Sequence, residues 1–204
     1  MNRDLPRLHA VTNDAVLALP DYAARARAIA QAGPVALHVR SSTAGGRRLG
    51  EIAASMRRRC PSIECCIFVN DRADVARAVG ADGVHLPSAG LTVAEARSIV
   101  GRTMWIGCSA HETAEVARAA REGADYVFLG PIWRTSSHPD RAPIGPEAIS
   151  ADAGIRVIAI GGVTPERVRE CIQRGAYGVA IISAIWFATD AGSAAQRMLL
   201  SFHR

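Results

Sequence analysis

The chain has 204 residues, of which 49% are hydrophobic and 21% are charged, so it can bury a sizeable core and does not fit the disordered class. Its formal net charge is +5, and all 24 basic residues are arginines because the sequence contains no lysine. This excludes Schiff-base chemistry and any phosphate-binding loop that depends on an ammonium group. The arginines are mostly scattered and only 5% of the residues are aromatic, so we expect no nucleic-acid partner.

The cysteines and the apolar runs bear on location. Five cysteines form no CxxC pair, and their odd number argues against a disulfide framework or a zinc site. Reduced thiols are typical of the cytoplasm, which is therefore the expected location. No stretch approaches the ~18 consecutive apolar residues of a membrane span, so we expect no membrane partner.

Short β-type runs alternate with helical patterns along the chain. Eight apolar runs are predicted as strands: 8–12, 35–40, 65–70, 83–87, 104–109, 126–132, 157–162 and 178–183. The stretches between them show the i, i+3, i+4 apolar spacing of helices. We predict helices over 21–31 and 111–122, and a third helix with Thr164 as N-cap and Pro165 as its first residue.

A repeated phrase indicates how these elements are arranged. Residues 78–84, 121–127 and 173–179 each show a helix end, a glycine and the start of a buried strand, which is typical of stacked βα units. Eight strand–helix units predict an α/β fold, a (β/α)8 TIM barrel, as a single domain over residues 1–204. The alternative is a doubly wound open sheet, which often has a GxGxxG after its first strand, whereas residues 10–14 contain no glycine.

Two loops near the carboxyl terminus predict a phosphate site. Gly161 and Gly162 end the seventh run, and Ile182 and Ser183 end the eighth. In TIM barrels the loops after these two strands are the usual place for a phosphate. Main-chain amides at a helix start attract an anion without a lysine. We therefore expect a small-molecule phosphate ligand as the partner; the alternative is a tight βα turn without a ligand.

Further polar residues are predicted at the same end of the barrel. His38 and Arg40 are two residues apart and point the same way, so His38 is either an acid–base group or a hydrogen-bonded core residue. A buried Arg40 needs an anionic partner. Asp71 could hold a metal, pair with Arg40 or cap the next helix. The remaining candidates for ligand binding are Asn70, Ser109, Thr135 and Ser137.

Five segments, taken in order, resemble the thiamine phosphate synthase and TenI (thiazole tautomerase) family. They are VNDRADVA (69–76), GADGVHL (80–86), IGCSAH (106–111), GADYVFLGPI (123–132) and IAIGGVTP (158–165), and the resemblance runs from about Leu8 to Ile185. It implies a (β/α)8 barrel that holds a thiazole phosphate at the last two strands. A synthase of this family joins a pyrimidine pyrophosphate to the thiazole phosphate, and neutralises the released pyrophosphate with magnesium, an arginine and lysines.

Three departures from the family pattern lie in the part that handles pyrophosphate. The second-strand pattern Gln-x-Arg-x-Lys is His-Val-Arg-Ser-Ser over residues 38–42, so its lysine is missing. Gly90 stands at the place of the second magnesium aspartate, and His138 stands at the place of the sixth-loop lysine. The residues that match the thiazole phosphate half are present.

From these departures we expect a TenI-like tautomerase that acts on hydroxyethylthiazole phosphate or its carboxylated precursor, with no certain cofactor. Its expected catalytic residues are His38, Arg40 and His138. One alternative is a thiamine phosphate synthase with magnesium at Asp71, in which Arg40 and His138 replace the lysines. Another is a non-catalytic barrel that binds thiazole phosphate. The outer helices of such a barrel also permit a homo-oligomer.

Overall fold

The computed structural model describes residues 4–60, 64–135, 140–150 and 153–202. Eight parallel strands pair with their neighbours in chain order, and β8 pairs with β1, so the sheet is a closed barrel. The strands are β1 (Leu8–Val11), β2 (Val35–Val39), β3 (Cys65–Asn70), β4 (Gly83–Leu86), β5 (Trp105–Ala110), β6 (Tyr126–Leu129), β7 (Arg156–Ile160) and β8 (Gly178–Ile181). The predicted TIM barrel is confirmed, and the open sheet is excluded.

The helices follow the strands around the outside of the barrel. They are α1 (Asp14–Leu17), α2 (Tyr22–Gln31), α3 (Gly46–Arg59), α4 (Ala73–Ala78), α5 (Val93–Val100), α6 (Thr113–Arg121), α7 (Pro165–Gln173), α8 (Ser183–Trp186) and α9 (Ala191–Leu200). The predicted helices correspond to α2, α6 and α7, and Thr164 is the N-cap of α7 without a side-chain capping bond.

The sixth unit departs from strict strand–helix alternation. Between β6 and β7 the described residues contain a 3-10 turn, Pro146–Ala148, and no α-helix. Gly145 precedes this turn at φ 80°, and Pro146 supplies no N–H, so neither residue favours a continuous helix here. The connection from β6 is therefore a loop whose first residues run along the mouth of the barrel.

Two apolar clusters explain why the strand sequences are hydrophobic on both faces. The larger one lies between the strands and the helices, as is usual for parallel sheets. The second includes inward-facing side chains of the barrel: Leu5, Val11, Ala36, Cys66, Phe68, Tyr126, Phe128, Ile158 and Ala180. Because the rings of the second cluster fill the interior, the barrel is a packed core closed below its mouth.

Glycines on neighbouring strands provide the space for these rings. A Cβ at Gly83 of β4 would overlap the ring of Phe68, and a Cβ at Gly107 of β5 would overlap the ring of Tyr126. Small and large residues thus alternate around the interior, as a narrow barrel requires.

The five cysteines are free thiols in the structure. Desolvation raises the pKa of the Cys108 thiol to about 11 and that of the Cys171 thiol to about 12. Neither group is therefore a reactive thiolate at neutral pH. In the described part of the chain, no helix combines the length and the apolar character needed to cross a membrane.

The overlap at Gly83 generates a stability prediction. We expect Gly83→Ala to lower the free energy of unfolding by about 1–3 kcal/mol, because the added methyl group forces the Phe68 ring out of its place. The matched control is Gly50→Ala inside α3, where the new Cβ would make an ordinary contact of 3.6 Å with Val75. The control should be neutral or more stable by up to about 1 kcal/mol. Urea denaturation of both variants checks this, and equal stabilities would contradict the packing described.

Candidate active site

A cavity of about 650 Å³ lies at the carboxyl ends of the strands. Its volume is within the range of pockets that hold small molecules. The wall is formed by strand ends and the loops after them, from Val11 at the end of β1 to Ser183 after β8. In TIM-barrel enzymes this end of the barrel carries the chemistry.

Most of the residues predicted from the sequence lie together in this cavity. The described lining includes Arg40, Asn70, Asp71, Ser109, Thr135, Gly161, Gly162, Ile182 and Ser183. His38 is not among the lining residues. Ser137 and His138, two further predicted site residues, lie outside the described residues.

The glycine pair after β7 is built into a contact between two loops. Gly161 and Gly162 have φ values of 92° and 65°, which favour glycine. A Cβ at Gly162 would lie 2.7 Å from the Trp133 Cβ and 2.8 Å from the Arg134 carbonyl oxygen. The Trp133 N–H donates to the Gly161 carbonyl oxygen at 3.0 Å. The glycines therefore allow the loop after β6 to approach closely, and they also keep this corner of the cavity lined by backbone.

Arg167 on α7 holds the same corner. Its Nη1 donates to the Gly162 carbonyl oxygen at 2.6 Å, and its guanidinium lies 4.8 Å from the centroid of the Trp133 ring. These contacts tie α7, the β7 loop and the β6 loop together. No sequence signal indicated this role, because one arginine in a helix resembles any solvated residue.

Asp71 is the acidic residue among the described lining residues, and its backbone is unusual. Its φ is 68°, a left-handed conformation that Asp tolerates better than most residues, and its N–H donates to the His85 carbonyl oxygen at 2.8 Å. A Cβ at Gly90 would lie 3.4 Å from the Asp71 Oδ1. The strained backbone thus presents the carboxylate beside Gly90 at the cavity.

Two of the three roles considered for Asp71 are not observed. The N-cap of α4 is Arg72, so Asp71 does not cap that helix. Among the described residues no ion pair joins Asp71 to Arg40. The remaining role, a ligand of a metal ion, is compatible with its exposed position in the cavity.

His38 requires a correction, because the structure does not support a direct acid–base role. The side chain is fully buried below the cavity. Its Nε2 lies 2.8 Å from the His9 Nδ1, and its Nδ1 lies 3.2 Å from the Asn70 side-chain oxygen. Burial lowers the pKa of His38 to about 3, so the ring is neutral at physiological pH. The alternative considered from the sequence, a hydrogen-bonded core histidine, fits this geometry.

Four arginines line the cavity and give it a positive charge: Arg167, described above, and three more, Arg40, Arg134 and Arg141. Arg40 is half-buried after β2, whereas Arg134 and Arg141 are exposed and belong to the segment between β6 and β7. Within the described residues, none of the three forms an ion pair with a carboxylate. A cavity with these cations and one carboxylate concentrates anionic ligands. Arg134 and Arg141 were missed from the sequence, where they resemble solvated loop residues.

Two further histidines are fixed by hydrogen bonds near the wall. The His85 Nε2 lies 3.0 Å from the Ser109 Oγ, and Ser109 lies within β5, so it does not cap a helix. The His111 Nδ1 donates to the Gly130 carbonyl oxygen at 2.6 Å. His111 is half-buried and lines the cavity; from the sequence it was expected to begin the helix over 111–122 and to belong to a resembling segment, and it was not among the predicted site residues.

The loop after β2, which carries Ser41 into the cavity wall, is held by one carboxylate. Asp14 at the start of α1 accepts hydrogen bonds from the hydroxyl groups of Ser41, Ser42 and Thr43, and from the Ser42 N–H at 3.1 Å. The hydroxyls of Ser41 and Ser42 hold the pKa of Asp14 well below its usual range. This cluster fixes the backbone directly after Arg40.

Comparison with known proteins shows what the chain resembles. Residues 8–185 match the family model of thiamine monophosphate synthase. The chain is 36% identical over 196 residues to the thiamine-phosphate synthase of Chloroflexus aurantiacus, with 94% of this chain and 90% of that one covered. It is 47% identical over 154 residues, 73% of this chain, to the thiamine biosynthesis bifunctional protein ThiM/ThiE of Symbiobacterium thermophilum, of which it spans only 32%. Among solved structures, the thiamine phosphate pyrophosphorylase from Pyrococcus furiosus superimposes with a TM-score of 0.82 at 29% identity, with 97% and 95% of the two chains covered.

The contacts of Asp14 predict a pH-dependent contribution to stability. Since its pKa is lowered in the folded state, the stabilisation is present above the unfolded value of about 3.9 and is lost as the pH falls below it. We expect Asp14→Asn to reduce the free energy of unfolding at pH 7 by about 1–2 kcal/mol, the lower part of the range for charged hydrogen bonds, because the group is partly exposed. Urea denaturation at several pH values checks this, with the exposed Asp4→Asn as control. A difference that stays constant down to pH 3 would contradict the assignment.

Proposed function

Because this chain belongs to the thiamine monophosphate synthase family, we propose that it is a thiamine phosphate synthase. It joins a pyrimidine pyrophosphate to hydroxyethylthiazole phosphate and releases pyrophosphate. The observation that supports this most strongly is the presence of Arg40, Arg134 and Arg141 around one cavity. The tautomerase that we expected from the sequence is less well supported than its alternative, since relatives over most of the chain are named thiamine-phosphate synthase.

Guanidinium groups supply the positive charge that the leaving group needs. Negative charge develops on the pyrophosphate as its bond to the pyrimidine methylene carbon breaks. Preorganised cations at that place lower the barrier. Arginine binds phosphate oxygens through two parallel N–H groups, so Arg40, Arg134 and Arg141 fit this role. The missing lysines, which favoured the tautomerase in the sequence, thus have substitutes from other positions.

A magnesium ion fits this site as an ion shared with the substrate. Among the described residues no group of three or more His, Cys, Asp or Glu side chains could enclose a metal. Magnesium is commonly bound by one or two carboxylates together with substrate phosphates and water, so Asp71 alone is sufficient on the protein side. When bound, the ion would neutralise charge on the pyrophosphate. Gly90 leaves space beside Asp71 where a second carboxylate is absent.

The thiazole phosphate is assigned to the corner formed by Gly161, Gly162 and Ser183. This corner is lined by backbone and lies across the barrel from Asp71, since β7 and β8 are far from β3 in strand order. Main-chain N–H groups and the Ser183 hydroxyl bind an anion without an ammonium group. The two anionic parts of the substrates are thereby held at opposite sides of one cavity.

The geometry also bears on the other two functions considered. A tautomerase needs an acid–base group at the ligand; His38 is sealed below the cavity, whereas His111 lines it. A non-catalytic barrel that binds only thiazole phosphate would not require several arginines around the cavity. Neither function accounts for Arg134 and Arg141 as directly as the synthase does.

A product assay tests the proposed function. We expect the purified protein, given hydroxyethylthiazole phosphate, the pyrimidine pyrophosphate and magnesium, to form thiamine phosphate and pyrophosphate in equal amounts. Asp71→Asn should lower the rate by about a hundredfold or more, because the carboxylate assigned to the ion is removed. Conversion of the carboxylated thiazole tautomer without thiamine phosphate would reject the synthase, and binding without any conversion would leave only the non-catalytic barrel.

The arginine assignment predicts the behaviour of two variants. We expect Arg134→Gln and Arg141→Gln each to lower kcat/KM for the pyrimidine pyrophosphate by about tenfold to a hundredfold, toward the lower end of the loss seen for single transition-state donors because both residues are exposed. The matched control is Arg58→Gln on the exposed end of α3, which should leave kcat/KM unchanged. Steady-state kinetics at fixed thiazole phosphate measure the effect. Full activity in the double variant would remove these arginines from the site.

A further inference from the structure

A buried pair of histidines connects the start of the chain with the floor of the cavity. The His9 Nε2 lies 2.9 Å from the Pro6 carbonyl oxygen, and the His9 Nδ1 lies 2.8 Å from the His38 Nε2. The His38 Nδ1 lies 3.2 Å from the side-chain amide of Asn70, which lines the cavity. Both rings are fully buried. Four groups are therefore joined in one continuous chain of hydrogen bonds.

The Pro6 carbonyl group determines which partner donates in every hydrogen bond of this chain. A carbonyl oxygen only accepts, so the His9 Nε2 carries a hydrogen and donates to Pro6. In a neutral ring the His9 Nδ1 then has no hydrogen and accepts. The His38 Nε2 must donate to it, which leaves the His38 Nδ1 without a hydrogen in the neutral ring. The His38 Nδ1 therefore needs a donor on Asn70.

The opposite direction would require a cationic His9 in the interior of the barrel. The ring of His9 lies among Phe68, Tyr126 and Phe128, with centroid distances of 5.9, 5.4 and 5.4 Å. Burial, together with the proximity of His38, lowers the pKa of His9 well below its usual value. Among the described residues no carboxylate contacts this ring to compensate a charge. His9 is therefore neutral, and its neutral form determines which groups donate and which accept along the chain of hydrogen bonds.

We propose that this one-way chain fixes the amide of Asn70 with its Nδ2 donating to His38 and its Oδ1 turned into the cavity. With the Asn70 Oδ1 next to the His38 Nδ1, at 3.2 Å, two acceptors would face each other. Rotation of the amide by 180° changes its shape hardly at all and restores the bond. His9 and His38 are then positioning residues for Asn70.

The consequence is a specificity rule for the ligand. The floor beside Asp71 presents an acceptor, so it selects a ligand that places an N–H or O–H donor there and disfavours one that places an acceptor. Because Asn70 and Asp71 lie at the end of β3, across the barrel from the glycine corner, the group selected belongs to the pyrimidine substrate. The assignment of this group to the pyrimidine substrate rests on the proposed function, whereas the direction of the hydrogen bonds does not.

Nuclear magnetic resonance of the ligand-free, 15N-labelled protein tests the direction of the chain. We expect both histidines to carry their hydrogen on Nε2. Couplings across hydrogen bonds should join the His9 Nδ1 to the His38 Nε2, and the Asn70 Nδ2 to the His38 Nδ1. A hydrogen on the His38 Nδ1, or a doubly protonated His9, would overturn the inference whatever reaction the protein catalyses.

Two variants of His9 test whether the chain controls the substrate. In His9→Phe the acceptor is lost, so we expect His38 to populate both tautomers and the KM for the pyrimidine pyrophosphate to rise about five- to tenfold, with a smaller change in kcat. His9→Asn retains an acceptor, and we expect it to restore the single tautomer and the KM. Mixed tautomers with an unchanged KM would overturn the specificity rule. Absence of thiamine phosphate formation in the wild type would instead reject the proposed function. The NMR spectra would still decide the direction of the hydrogen bonds.

Discussion

Negative charge at the cavity must be balanced without a single ammonium group. Both substrates of the proposed reaction are phosphorylated, and the departing pyrophosphate concentrates more charge than either of them. The chain meets this demand in two ways, with guanidinium groups in the wall of the cavity and main-chain N–H groups at the glycine corner. Arginine keeps its charge in any protein environment and binds phosphate through a planar fork, so these two kinds of donor differ in chemistry.

The closed barrel turns scattered residues into one site. Parallel strands bring their carboxyl ends to one rim, so Arg40, Asp71 and Ser183, far apart in sequence, line the same cavity. Below the rim, the interior is filled by aromatic rings and by three buried histidines, His9, His38 and His85. The chain of hydrogen bonds through His9 and His38 reaches the floor of the cavity at Asn70. At the mouth of this cavity Arg40 is half-buried, whereas Arg134 and Arg141 are exposed.

The fold could be predicted well from the sequence because its signals are local and repeated. All eight strands lie within the predicted runs or within a residue or two of them, since parallel strands buried on both faces need continuous apolar segments. The glycines after β7 and the residues at the end of β3 were found for the same reason, because the end of a strand fixes the place of the next few residues. The sixth unit differs from the prediction because the described residues between β6 and β7 form only a 3-10 turn that follows Gly145 at φ 80°, which strand spacing does not reveal.

The features of the site that could not be predicted from the sequence depend on partners that are distant in sequence. Whether His38 faces a ligand or another ring is decided by His9, 29 positions away, and no pattern links the two. The direction of Arg134 and Arg141 is decided by the course of the loop after β6, which has no periodicity. Relatives over most of the chain that are named thiamine-phosphate synthase favour the synthase over the tautomerase, so counting missing lysines favoured the less well supported of the two hypotheses.

A crystal structure of the protein with thiamine phosphate, pyrophosphate and magnesium tests the proposed division of charge most directly. We expect pyrophosphate to lie on the Asp71 side in contact with at least two of Arg40, Arg134 and Arg141, and the thiazole phosphate to lie against the backbone of Gly161 and Gly162. Pyrophosphate bound without any of these guanidinium groups, or either anion bound outside this cavity, would contradict it.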